Sequence, residues 1–282
     1  ERVRVLRTDR EAGLVPALKL AVAAARSSLL ARMDADDVAL PRRLELQVEH
    51  MRAHRALAAC GTGVELFPNE LVGDGYSRYA GWLNDLRSPD DLWRDLLVEC
   101  PIAHPALIVR ASVLRGLDGY RDAGWPEDYD LVLRMHAAGM RAGNLPDVLL
   151  RWRIRPGRHS LASERYAPDA FRRCKAHFLL ETFLPPARPI VMWGAGKVGK
   201  PLAREMIRRG GRVHSFVDLD PRKIGQEIHG APVLDPAAFA VLAKEIRPYV
   251  LAAVGSPGAR EDIRRALADA GYAEIDDYRV CA

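Results

Sequence analysis

The sequence predicts an α/β fold in two domains. Strands alternate with helices through residues 1–165, the pattern of a helix-covered sheet. The run Pro185-Pro186-Ala187-Arg188-Pro189 is proline-dense enough to read as a linker. Beyond it the strand–helix pattern restarts around a glycine-rich turn. A length of 282 residues suits two domains of about 150 residues each. We therefore expect residues 1–184, ending in a helical tail over 168–183, and residues 185–282.

The elements follow in order. Arg2 to Arg7 alternates like a half-buried strand. Leu14, Leu18, Val22 and Ala25 recur at helical spacing. Leu29 to Met33 reads as a short buried strand running into Asp34-Ala35-Asp36-Asp37. Pro41 opens a helix, with Leu44, Val48 and Met51 along one face. Ala56 to Phe67 reads as a strand pair, and 89–98 as a helix capped by Ser88 or Asp90. Then come a strand over Ala106–Val109, a helix over Glu127–Ala138 and a strand over Val148–Ile154. After the linker, strands are expected at Ile190–Trp193, Val213–Val217 and Tyr249–Val254, and a helix at Ala259–Ala270.

Composition excludes several classes. Hydrophobic residues make up 49% and charged residues 28%, so the chain is not disordered. No apolar run approaches the roughly 20 residues of a membrane span, and no secretory signal opens the chain. Its start at Glu1 rather than Met suggests missing upstream sequence. The net charge of +5 is spread over both domains, unlike the basic stripe of a nucleic-acid binder. The local excess is Arg151, Arg153, Arg155 and Arg158. Cys60, Cys100, Cys174 and Cys281 are far apart, which favours separate reduced thiols in a cytosolic protein over disulfides or a zinc site.

Asp34, Asp36 and Asp37 stand at the C-terminal end of a strand, where open α/β sheets bind ligands. Carboxylates at alternate positions can converge on a hard divalent cation that also binds a diphosphate. An isolated D-x-D is otherwise an acidic turn capping the next helix. Here the surrounding order matters: G-L-V-P-A-L-K from Gly13, A-R-M-D-A-D-D, P-R-R-L-E-L-Q from Pro41, then Pro101-Ile102-Ala103-His104-Pro105, Gly119-Tyr120-Arg121 and Pro126-Glu127-Asp128-Tyr129-Asp130-Leu131. This order resembles the catalytic domain of glycosyltransferase family 2, over residues 1–165.

The resemblance implies a GT-A-like mixed sheet and an inverting, metal-dependent glycosyltransferase. Asp36 would ligate Mn²⁺ or Mg²⁺, and Asp34 would contact the ribose or the metal shell. Asp128, paired with Glu127, would be the general base for an acceptor hydroxyl. Taken alone, that acidic pair also suits the first turn of a helix. The implied partners are a nucleotide-sugar donor and a glycan or lipid-linked acceptor, in the cytoplasm or at the inner face of a membrane, with peripheral association. Lys19 departs from the family's Asn. Arg155 stands where a His often precedes Pro-Gly, with His159 four residues on; its guanidinium could bind diphosphate oxygens, or it belongs to a solvated basic strand. His104 is either a pocket residue or a half-buried histidine. The family's opening strand and D-G-S-like turn have no counterpart before Arg2, so the chain is expected to be part of a longer protein or to lack half its donor pocket.

Gly194-Ala195-Gly196-Lys197-Val198-Gly199 follows a strand and opens a helix, and Asp218 ends the next strand. That context suits a nucleotide-binding turn. Pro201 stands where a P-loop needs Ser or Thr. Val217-Asp218-Leu219-Asp220-Pro221 with Lys223, Gly225, Gly230 and Pro232-Val233 resembles the small Rossmann-like domain ahead of bacterial sugar acyltransferases. That resemblance implies NAD or a nucleotide-sugar at Gly194, Gly196, Gly199 and Asp218, or a docking role without ligand. Two further readings of the whole chain are a non-catalytic nucleotide-sugar binding or scaffolding protein and an NAD-dependent oxidoreductase.

Overall fold

The computed structural model describes residues 3–9, 13–157 and 163–282. Arg2, Arg158, His159 and Ser160, singled out from the sequence, lie outside them. The chain divides into two compact units. The first comprises Glu1–Trp93 with Cys100–Ala167, the second Arg94–Glu99 with Pro168–Ala282. The tail helix assigned to residues 1–184 from the sequence packs with the second unit.

The first unit is built on a five-stranded mixed sheet in the order β1-β4-β3-β5-β2. These strands are β1 (Leu29–Ala31), β2 (Val38–Ala39), β3 (Leu57–Phe67), β4 (Ile108–Arg110) and β5 (Arg141–Arg153). The two long central strands, β3 and β5, run parallel, and the other pairings are antiparallel. The expected strand pair over 56–67 is one continuous strand, and the strand at 148–154 is the end of a longer one. Close approach of β3 and β5 fixes two residue types: a Cβ on Gly61 would lie 2.2 Å from Asn144 Oδ1, while Asn144 Nδ2 donates to the carbonyls of Leu86 and Pro101.

Two expectations for this unit are corrected. Residues Val3–Asp9 are exposed and outside any strand. They contain only three apolar side chains, two of them adjacent, too little apolar surface on one face to fix a strand. The strand before the acidic turn is short and half-buried, because β1 is a sheet edge rather than a central strand.

The first five α-helices are α1 (Leu14–Ala24), α2 (Arg43–Ala53), α3 (Asp74–Asp85), α4 (Pro89–Arg94) and α5 (Ala111–Gly116). Helix α4 stops short of the expected 98. Its start is capped reciprocally: Asp91 N–H donates to Ser88 Oγ, and Ser88 N–H donates to the Asp91 carboxylate. Helix α2 keeps part of the expected face, with Met51 in the core and Val48 packed against it, but Leu44 leaves it. Leu44 is 55% exposed, whereas Arg43 and Gln47 are buried beside Met51. The reason is hydrogen bonding: Gln47 Nε2 donates to the carbonyls of Cys60 and Ala106, and Arg43 donates to Gln47 Oε1 and to the Arg32 carbonyl. Buried polar groups with partners are tolerated, and here they join α2 to the end of β1, the body of β3 and the segment entering β4.

The second unit has a six-stranded sheet in the order β11-β10-β6-β7-β9-β8. Strands β6 (Ile190–Trp193), β7 (Ser215–Val217), β9 (Ala231–Leu234), β10 (Tyr249–Ala252) and β11 (Tyr278–Val280) are parallel neighbours. Strand β8 (Glu227–Ile228) pairs antiparallel with β9, through a turn in which His229 and Gly230 both have positive φ. That hairpin, β11 and the helix Pro236–Ile246 are elements the sequence reading omitted. The helix is nonetheless signalled by its cap, Asp235 Oδ1 accepting from Ala238 N–H, with Pro236 in the first turn. The chain order reverses between β6 and β10, the place where doubly wound sheets open a crevice. Asp95 joins this unit through Arg264, which also pairs with Glu274. All four cysteines are buried, and burial pushes the Cys60 thiol up to about 12.

Candidate functional site

In the first unit the D-A-D-D turn leaves the end of β1. Its backbone is anchored by Arg32 N–H on the Leu107 carbonyl and by Arg43 on the Arg32 carbonyl at 2.7 Å. Burial pushes the Arg43 guanidinium down to about 10, with Arg32 adding to the shift and Asp37 opposing it. Each acid has a cationic or backbone partner. Asp34 pairs with Arg32. Asp36 Oδ2 accepts from Arg155 Nε at 2.6 Å, and its carbonyl accepts from Arg153 Nε. Asp37 Oδ1 accepts from Arg153 N–H at 2.8 Å. Strand β5 therefore runs directly beside the turn. Arg151 and Arg153 alternate on one face and both cover the Phe67 ring, at 4.7 and 4.3 Å from its centroid.

The second acidic motif opens the helix α6 (Glu127–Ala137), with Pro126 ahead of it. The two acids differ sharply. Glu127 is fully buried; Oε2 accepts from the Tyr166 hydroxyl at 2.7 Å and Oε1 lies 3.5 Å from His104 Nδ1. Asp128 is half-buried, and its Oδ1 accepts from Tyr129 N–H. Asp130 accepts from Trp125 and Arg134, and Arg134 in turn donates to the carbonyls of Leu117 and Gly119. His104 is buried, not half-buried, and its Nε2 meets the Tyr120 hydroxyl at 3.0 Å. Burial, aided by the charge of Arg32, holds its pKa well below the ordinary histidine value, so the ring is neutral.

The two motifs share one neighbourhood. Arg32, partner of Asp34, acts electrostatically on both His104 and Tyr120, and Tyr120 also feels Asp128 and Glu127. The geometry agrees: Arg32 N–H donates to the Leu107 carbonyl at 2.8 Å, just after the short helix whose His104 faces Glu127. Tyr166, Tyr120, Arg32 and Arg43 were not singled out from the sequence. Gly119-Tyr120-Arg121, P-R-R-L-E-L-Q and A-R-M-D-A-D-D contain three of these residues; nothing local marks Tyr166.

A divalent ion has a limited donor set here. Among the described residues, no group of three or more His, Cys, Asp or Glu side chains could hold a metal. Two carboxylates at alternate positions fit a cation that completes its shell with diphosphate oxygens.

In the second unit the glycines divide by role. A Cβ on Gly199 would lie 1.8 Å from the Gly194 carbonyl oxygen, and one on Gly194 would lie 2.7 Å from the Ala253 oxygen. Gly194 also has φ +119. A Cβ on Gly196 would meet nothing within 4 Å. Asp218 Oδ2 accepts from Ala195 N–H and Lys223 Nζ, both at 2.9 Å, and Oδ1 from Asp220 N–H. Burial opposes ionisation, but these hydrogen bonds hold its pKa below the ordinary value. The carboxylate expected at the nucleotide site thus already holds three donors.

Among the described residues, no helix is long and apolar enough to cross a membrane. Residues 1–115 match the family model for glycosyl transferase family 2. The glycosyltransferase EpsE of Bacillus subtilis is 29% identical over 199 residues, covering 68% of this chain and 68% of that protein. The O-antigen biosynthesis glycosyltransferase WbnJ of Escherichia coli is 32% identical over 169 residues, covering 58% of this chain and 61% of that protein. Among solved structures, a mannosyltransferase from Pyrobaculum calidifontis is 16% identical with a TM-score of 0.36, covering 94% of this chain and 62% of that one; this value carries no argument. The chain thus spans about two thirds of the length of these relatives. Over residues 1–115 the chain is thus similar to glycosyl transferase family 2.

Proposed function

We propose that the first unit transfers a sugar from a nucleotide-sugar to an acceptor hydroxyl with inversion at the anomeric carbon. The observation that supports this reading is the contact chain between the two acidic motifs: Arg32 pairs with Asp34 and bonds the Leu107 carbonyl, beside the turn whose His104 faces Glu127. Asp36 and Asp34 would hold Mn²⁺ or Mg²⁺ together with the donor diphosphate. The ion, when bound, offsets negative charge on the nucleoside diphosphate leaving group. Arg155 exchanges its pairing with Asp36 for the diphosphate oxygens, a planar donor meeting a polyanion. Asp128, the more open acid of the pair, takes the proton from the acceptor hydroxyl as it attacks. One base and direct displacement give inversion. The O-antigen named for one relative supports a glycan or lipid-linked acceptor, met at the inner face of a membrane.

Calorimetry on the full chain tests the donor site. UDP-glucose and GDP-mannose are titrated with and without Mn²⁺, on the wild type and on Asp36→Asn. Binding that needs Mn²⁺ and is lost in Asp36→Asn is expected; binding unchanged by the substitution overturns the metal role.

For the second unit we propose a phosphate-binding turn for NAD or a nucleotide-sugar. The open space over Gly196, between two glycines required by packing, supports it.

A further inference from the structure

We infer that Tyr166 is a positioning residue for the acidic pair, acting through Glu127; this rests on the transfer reading above. Glu127 cannot itself touch an acceptor, because it is fully buried. Its position nevertheless fixes that of Asp128, one residue on in the same first turn of α6. Three groups hold it. The Tyr166 hydroxyl donates to Oε2 at 2.7 Å, His104 Nδ1 faces Oε1, and the helix start supplies the backbone. With His104 neutral and already bonded to Tyr120 through Nε2, the short hydrogen bond from Tyr166 is the strongest of these side-chain contacts. Burial and the charges of Glu127 and Asp128 raise the Tyr166 pKa, so the hydroxyl stays a donor.

Arg165, the preceding residue, reinforces the same clasp. It donates to the Trp125 carbonyl and to Asp122 Oδ1 at 2.7 Å, and Ser163 Oγ accepts from its backbone N–H. Residues 163–166 therefore grip the loop that leads into α6 at two points, the loop and the first helical residue. They do so from far along the chain, 39 residues beyond Glu127. A clasp of this kind sets the reacting geometry of a neighbour, where a misplacement of about 1 Å can cost on the order of 100-fold in rate.

The test is a double-mutant cycle on kcat with Tyr166→Phe and Glu127→Gln in the full chain. Turnover of UDP-glucose and GDP-mannose is measured at protein concentrations corrected for folded fraction. Tyr166→Phe should lower kcat about tenfold with donor KM unchanged, the split expected when only transition-state placement is lost. In the Glu127→Gln background the same change should cost less than about twofold, because both act through one contact. Amide exchange of residues 119–127 should quicken about tenfold in Tyr166→Phe, which reads the clasp independently of turnover. Wild-type kcat in Tyr166→Phe, or fully additive losses, overturns the inference, and so does unchanged exchange. Asp128→Asn separates this from the parent reading: if it keeps wild-type kcat, the base assignment fails, whereas an inactive Asp128→Asn beside a fully active Tyr166→Phe overturns the positioning role alone.

Discussion

The two units handle an acidic residue at a strand end in opposite ways. In the first, Asp36 is held by Arg155, 119 residues away in sequence, through a pair that is 52% and 36% exposed. In the second, Asp218 is held by Asp220 and Lys223 in its own turn and by Ala195 N–H in the glycine turn after the neighbouring strand. A surface pair between distant segments is worth about 0–1 kcal/mol and yields readily to a ligand. A carboxylate accepting three donors, two of them backbone N–H groups, is a structural brace. The difference teaches that a motif's residue type predicts less about availability than the origin of its partners.

The largest expected effect tests the catalytic side of that contrast. Asp128→Asn should lower kcat by at least about 100-fold, the usual worth of a general base, with the thermal midpoint little changed; transfer assays beside thermal melts check both. On the bracing side, Gly199→Ala drives a Cβ into the Gly194 carbonyl. It should destabilise the second unit by about 1–3 kcal/mol, read by denaturant unfolding.

A smaller effect follows from His104. Neutral and buried in the fold, it takes up a proton on unfolding below its ordinary value of 6.5. The folded form with depressed pKa therefore loses stability as pH falls from about 6.5, by up to about 1.4 kcal/mol per pH unit. A shallower acid slope in His104→Asn than in the wild type is expected from urea unfolding at pH 5–8. The smallest effect on stability is at Gly196, where Gly196→Ala should stay within about 0.5 kcal/mol. If the turn binds phosphate, the same substitution should remove the thermal shift given by NAD or UDP-glucose. A shift retained in Gly196→Ala sinks the phosphate role and leaves packing alone.

What was legible in the sequence was local. Glu127–Ala137, the strand before the glycine turn and the strand before D-A-D-D all follow from nearby residues. What was not legible depends on distant ones. The parallel pairing of β3 with β5 joins residues 57–67 to 141–153, and no periodicity in either strand names its partner. The burial of Arg43 and Gln47 defeats an apolar-face rule, because their value lies in carbonyls supplied by Arg32, Cys60 and Ala106. Tyr166 carries no motif; its meaning comes from Glu127, 39 residues away.

The buried Arg43 has one more consequence. Its guanidinium bonds a carbonyl, an amide oxygen and a sulfur, none of which cancels its charge. With Arg32, Arg153 and Arg155 also gathered on Asp34, Asp36 and Asp37, the segment that reads as an acidic patch is close to electroneutral in space. Such a surface neither hoards cations nor repels anions when empty. It is suited to receive a cation and a polyanion together as one neutral package, and to hold either partner poorly by itself.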